Sequence, residues 1–152
     1  AVARGEFYVQ STSSRCVGVD AAQFPRATSF YVAQLRHGGT GFGDDEFMRV
    51  TRPSDTQLCF FYSPGSLGVT IVWQLVNVPG AVVHLAETTM SGAVKRFALP
   101  ADFDATRSFA SVTMLKGAPW RVRLTAPRDV TVDRHDTSTS AVSITLQVVQ
   151  LP

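Results

Sequence analysis

Hydrophobic and polar residues alternate with a period of two along most of this chain. The pattern is cleanest in Val69-Thr70-Ile71-Val72-Trp73-Gln74-Leu75-Val76. Successive strand side chains point to opposite faces, so Val69, Ile71, Trp73 and Leu75 are expected on one face, with Thr70, Val72, Gln74 and Val76 on the other. The first set marks a central strand facing a core. Trp73 is expected to be buried there, so that Trp73→Ala costs about 3–5 kcal/mol. Val142, Ile144, Leu146 and Val148 repeat the alternation against Ser143, Thr145 and Gln147.

Shorter β-branched or aromatic runs predict strands at Glu6–Gln10, Thr28–Arg36, Glu46–Val50, Gln57–Tyr62, Val82–Glu87, Val94–Leu99, Phe109–Leu115, Trp120–Thr125 and Val130–Asp133. Ser63-Pro64-Gly65, Val78-Pro79-Gly80, Ser91-Gly92 and Gly117-Ala118-Pro119 punctuate them as turns. No helical stripe is sustained over three turns, although a short helical turn fits Asp20–Phe24, before Pro25. No internal repeat of fixed period is visible. The expectation is an all-β, antiparallel β-sandwich or jelly-roll-like fold of about 9–11 short strands, with residues 1–152 forming a single domain. The longer loops, Ser11–Ala27, His37–Asp45, Pro100–Arg107 and Asp133–Ser140, would gather at the strand ends.

Composition changes this picture little. Ten Phe and two Trp, with 45% hydrophobic residues, rule out disorder. A net charge of +2 with scattered basic residues gives no footprint for direct nucleic-acid binding. Trp120 beside Arg121 and Arg123 joins an aromatic to charge as a base-stacking site would, but it fits an ordinary half-buried strand. No apolar run is long enough for a membrane helix, so membrane insertion is not expected. The chain opens on Ala1 rather than Met and is expected to be a processed product or an excised piece of a larger protein. Cys59 lies in the apolar run Leu58–Tyr62 and is expected as a buried free thiol, with a bridge to Cys16 as the alternative.

The chemistry of enzymes is sought and mostly not found. P-loop, dinucleotide-glycine, HExxH and GxSxG patterns are missing from the sequence, so the chain is read as a non-enzyme needing no cofactor. Three constellations remain. His37-Gly38-Gly39-Thr40-Gly41-Phe42-Gly43-Asp44-Asp45-Glu46 places adjacent carboxylates on a glycine-rich loop. Asp44, Asp45 and Glu46 could ligate calcium, but a solvated loop is favoured, and Asp44→Ala with Asp45→Ala is expected to leave folding intact. Arg134-His135-Asp136, with Ser138 and Ser140 nearby, reads as turn chemistry, because a neighbouring Asp does not orient its own adjacent His as a catalytic triad does. Phe42 and Phe103 are loop aromatics that could anchor a sugar or a protein if exposed. His84 is expected to be an ordinary strand residue. The candidate binding residues are therefore His37, Phe42, Asp44, Asp45, Phe103, Arg134, His135 and Asp136.

The run Gly68–Val76, the following Pro79-Gly80, and the Ser/Thr/Val-rich stretch Ser138–Pro152 resemble the projecting domains of small non-enveloped RNA virus capsids of the tombusvirus-like and nodavirus-like kinds. The resemblance implies a sandwich displayed on the virion surface, self-associating as a dimer or trimer and meeting a host receptor or glycan through its end loops. The sequence carries no basic arm, so the expectation is either an outward-facing domain or one trimmed from such an arm. Two other readings are carried beside it: a carbohydrate-binding module of a secreted protein, and a hydrolase with a site near His135 or His37.

Overall fold

Twelve strands form among the described residues: β1 (Val2–Val9), β2 (Ser14–Gly18), β3 (Ser29–His37), β4 (Met48–Ser54), β5 (Gln57–Tyr62), β6 (Val69–Asn77), β7 (Val82–Met90), β8 (Val94–Ala98), β9 (Ser108–Met114), β10 (Trp120–Ala126), β11 (Asp129–Arg134) and β12 (Val142–Gln150). The computed structural model describes residues 1–10, 13–37, 47–62, 68–115, 120–134 and 140–152. Each strand runs antiparallel to its neighbours, in four three-stranded sheets ordered β1-β6-β3, β2-β5-β4, β7-β12-β9 and β10-β11-β8. The all-β, antiparallel expectation holds, with one strand more than the eleven runs read from the sequence. The addition is β2, inside the stretch expected as the loop Ser11–Ala27; it is an exposed edge strand whose residues carry no apolar alternation. At Asp20–Phe24 a single helical turn forms, with the Phe24 N–H donating to the Asp20 carbonyl at 2.9 Å and the Ala22 N–H to the Asp20 carboxylate.

The strand order contains a duplication, although no repeat of fixed period is visible in the sequence. Renaming β1 to β6 as β7 to β12 converts β1-β6-β3 into β7-β12-β9, and β2-β5-β4 into β8-β11-β10. Register follows: Met48↔Tyr62, Val50↔Phe60 and Ser54↔Gln57 become Trp120↔Arg134, Val122↔Val132 and Ala126↔Asp129, and both hairpins shift register just before the turn. Loop hydrogen bonds repeat as well. Tyr62 N–H to Ser13 O matches Arg134 N–H to Ala93 O, and Val78 N–H to Thr28 O matches Leu151 N–H to Arg107 O. The clearest trace in sequence is Phe24-(x)4-Ser29-Phe30 against Phe103-(x)4-Ser108-Phe109. The chain is therefore two six-stranded lobes of one topology. They are joined by the turn Val78-Pro79-Gly80-Ala81, where Ala81 N–H donates to Val78 O at 3.0 Å. Gly80 takes φ 83°, the positive value that a type II turn needs after Pro79.

Each lobe is sandwich-like, with one core. Lobe 1 packs Phe24, Tyr31, Leu58, Phe60, Ile71 and Leu75 between its sheets; lobe 2 packs Leu99, Phe103, Val130, Val132, Ile144 and Leu146. The alternation read for β6 holds for Val69, Ile71 and Leu75. Trp73 faces the same way but is half-buried rather than enclosed, a correction to the expectation. Its indole lies across Gly5, its pairing partner on β1; a Cβ at Gly5 would meet the ring at 2.9 Å.

In β12 the polar positions Thr145 and Gln147 are buried too, because lobe 1 stands on that face. Gln147 is 1% exposed, and its amide mimics a strand: Oε1 accepts from Tyr31 N–H at 3.0 Å and Nε2 donates to Tyr31 O at 3.1 Å. Tyr31 sits on β3, the edge of its sheet, so this side chain satisfies backbone groups that an edge leaves unpaired. Thr113 of β9 treats β4, the edge of lobe 1's other sheet, in the same way, accepting from Val50 N–H at 3.0 Å and donating to Val50 O at 3.3 Å. The Tyr31 hydroxyl joins the two edges by donating to Val50 O at 3.1 Å. Burial pushes that phenol up to about 12.

Cys16 and Cys59 form a disulfide, which corrects the expectation of a free thiol at Cys59. They are directly opposed on β2 and β5, with Cα atoms 4.0 Å apart, so the register itself brings the sulfurs together.

Candidate functional site

The residues singled out from sequence do not converge. Phe103 is a correction: at 7% exposure it closes one end of the lobe 2 core, as its counterpart Phe24 does in lobe 1, and offers no ring to a ligand. Arg134 is a second correction, since it is a buried strand residue at the end of β11 whose Nη1 donates to Ser140 O at 2.9 Å. His37 ends β3. Phe42, Asp44, Asp45, Glu46, His135 and Asp136 lie outside the described residues. Among the described residues, no three His, Cys, Asp or Glu side chains come together to hold a metal. Arg121 and Arg123 behave as the strand reading has it, sharing Asp133 at 3.2 and 2.9 Å on an exposed surface, where such pairs contribute little.

Two surfaces remain. The first is a cleft of about 440 Å3 at the open side of lobe 2, between β7 and β8, lined by His84, Phe97, Leu99 and Pro100, with Arg26 and Ala27 from lobe 1. The lobes differ here for a packing reason. In lobe 1 the corresponding side is filled by Trp73 over Gly5, by Phe7 and by Arg15 stacked on Phe7 at 4.6 Å. The repeat positions in lobe 2 carry Leu146, Ala86 and Thr88, of which Ala86 lines the cleft. Burial holds the His84 imidazole below its usual range, favouring the neutral ring. The cleft thus joins an apolar floor to one proton acceptor and one fixed cation; no carboxylate, hydroxyl or thiol is among its described lining. His84 was read as an ordinary strand residue, and its burial gives no sign in the sequence of the gap beside it.

The second surface is the outer face of β1-β6-β3. Val2, Tyr8 and Val32 stand there 53%, 58% and 56% exposed, flanked by Arg4, Glu6, Gln34, Arg36 and Gln74. The matching face of lobe 2 is the one that carries Gln147 and is covered by lobe 1. Large apolar side chains held on a flat sheet face are a mark of an association surface rather than of a catalytic one.

No protein-family model matches the chain, and no curated protein or solved structure does.

Proposed function

We propose that this chain is a structural and binding module displayed on a surface, which works by associating with copies of itself rather than by catalysis. The observation that carries the reading is the uncovered outer face of β1-β6-β3, where Val2, Tyr8 and Val32 are more than half accessible among Arg4, Glu6, Gln34, Arg36 and Gln74. The Cys16–Cys59 bridge supports display in an oxidising setting, such as a secreted protein or a virion surface, because disulfides persist there. The narrower form of the reading, prompted by the sequence resemblance, is the projecting domain of a small non-enveloped RNA virus capsid, with a host receptor or glycan as its outside partner.

Light scattering across a concentration series tests it. The expected result is a mass that rises with concentration and falls back to monomer in Tyr8→Asp with Val32→Asp. A strict monomer at millimolar concentration would sink the self-association reading.

A second reading is favoured by the cleft at His84, whose apolar floor and Arg26 suit a small ligand with an acidic or ring-bearing group. Glycan or small-molecule screening, read out by perturbation of the His84 ring resonances, separates it from the first.

A further inference from the structure

The contact between the lobes is a template for one between molecules. Within the chain, lobe 1 contributes the edges of β3 and β4, and lobe 2 contributes the outer face of β7-β12-β9. Both lobes are the same six-stranded unit, so each owns an edge pair and an outer face. The internal contact uses one of each. Left over are the outer face of β1-β6-β3 and the edges of β9 and β10.

The leftover pair carries the same contact chemistry at the repeat positions. Gln147, whose amide clamps Tyr31, corresponds to Gln74, which is exposed. Glu87, 3.8 Å from Arg49 across the internal contact, corresponds to exposed Glu6, and Arg49 itself corresponds to exposed Arg121. Burial differs where a partner would sit. Val50 and Tyr31, whose side chains pack in the lobe 1 core and whose backbones meet lobe 2, are buried, whereas their counterparts Val122 and Ala110 are half-buried.

We infer that copies of this chain associate head to tail, the β9–β10 side of one molecule seating on the outer face of β1-β6-β3 of the next, with Gln74 reaching the Ala110 backbone and Glu6 facing Arg121. This rests on the self-association reading and gives it a geometry. A second copy is the occupant because one molecule bears both halves of the contact, with opposite charges at its matching positions and an existing internal version of the same joint. The two surfaces are different, so the contact is heterologous, and assembly continues as a row or closes as a ring.

Charge-swap variants, followed by sedimentation velocity, test this. Glu6→Lys and Arg121→Glu each spoil one surface and spare the other. Each alone should weaken association at least about tenfold, as like charges do when they meet at an interface. Mixed together they should restore growth as alternating rows, because each joint again pairs opposite charges, and the double variant should likewise recover growth. Gln74→Arg blocks the face independently of that charge pair and should also give monomers. All three positions are exposed, so melting should match the wild type. Wild-type association that is indifferent to these variants, or mixed variants that do not restore growth, overturns the head-to-tail geometry while leaving self-association standing. A wild type that stays monomeric overturns both.

Discussion

Lobe 1 and lobe 2 share strand order, register and loop hydrogen bonds, yet they are held together differently. Lobe 1 is built around rings: Phe24, Tyr31, Phe60 and Tyr62 fill its core, Trp73 covers its open side, and a disulfide ties β2 to β5. Lobe 2 substitutes aliphatic residues at most of these places. Val132 stands for Phe60, Arg134 for Tyr62 and Leu146 for Trp73, and Arg96 and Thr131 occupy the two cysteine positions. Its compensation is β12, buried on both faces, with lobe 1 covering one of them. One topology thus accepts two packing solutions, because register and turn geometry set the fold while many combinations of apolar volume can fill it. Each lobe also lacks something alone: lobe 1 needs Gln147 and Thr113 to cap its edges, and lobe 2 needs lobe 1 to cover its outer face.

The sharpest way to break the comparison is at the two glutamines. Gln147→Ala leaves the buried Tyr31 N–H and C=O without partners and should cost about 2–6 kcal/mol, at about 1–3 per orphaned group. Gln74→Ala, at the repeat position but exposed, should stay within about 0.5 kcal/mol for the monomer. Chemical-denaturation midpoints of the two variants decide it; equal effects would mean that the clamp does not cap the edge. Next comes the staple. Replacing Cys16 and Cys59 by the Arg and Thr of lobe 2 should cost about 2–4 kcal/mol, and hydrogen exchange should show the loss concentrated in β2, β4 and β5. Uniform loss across both lobes would show that they unfold as one unit.

Trp73→Ala follows, at about 2–3 kcal/mol, below the cost of a fully enclosed ring because the indole is only half-buried. A thermal melt showing the larger cost would restore the enclosed reading. The smallest effect belongs to pH. The Tyr31 phenol is raised to about 12, above its usual value of 10.0, so the stability it contributes is complete below about pH 10 and is lost as pH climbs toward 12. Tyr31→Phe should flatten that alkaline decline while costing about 1 kcal/mol at neutral pH through the lost bond to Val50 O.

Strand positions and turns were legible because β-branched runs and Pro-Gly punctuation act locally. β2 was not, since an exposed edge strand such as Ser14-Arg15-Cys16-Val17-Gly18 has no buried face to impose alternation. The duplication escaped notice because burial, not identity, is what the lobes retain: Leu58 and Val130, or Phe60 and Val132, are both fully buried without being alike. The disulfide depends on register between strands 43 residues apart, which no local pattern reports. Of the candidate site, Phe103 shows the limit plainly. A loop position suggested exposure, but the loop folds back so that its ring plugs the sandwich end. The outer face of β1-β6-β3 was readable as the polar side of β6, though not as a surface whose twin in lobe 2 is covered.

The placement of β12 has a consequence for how the protein is made. It is the last of the twelve strands to be synthesised, yet it is central in its sheet and carries the amide that seals β3. On a ribosome, β7 and β9 must therefore wait for their shared partner until β12 has been made, and lobe 1 keeps two bare edges through the same interval. The nascent chain would be most exposed to sticking, and most dependent on a chaperone, in the stretch of synthesis just before completion of β12.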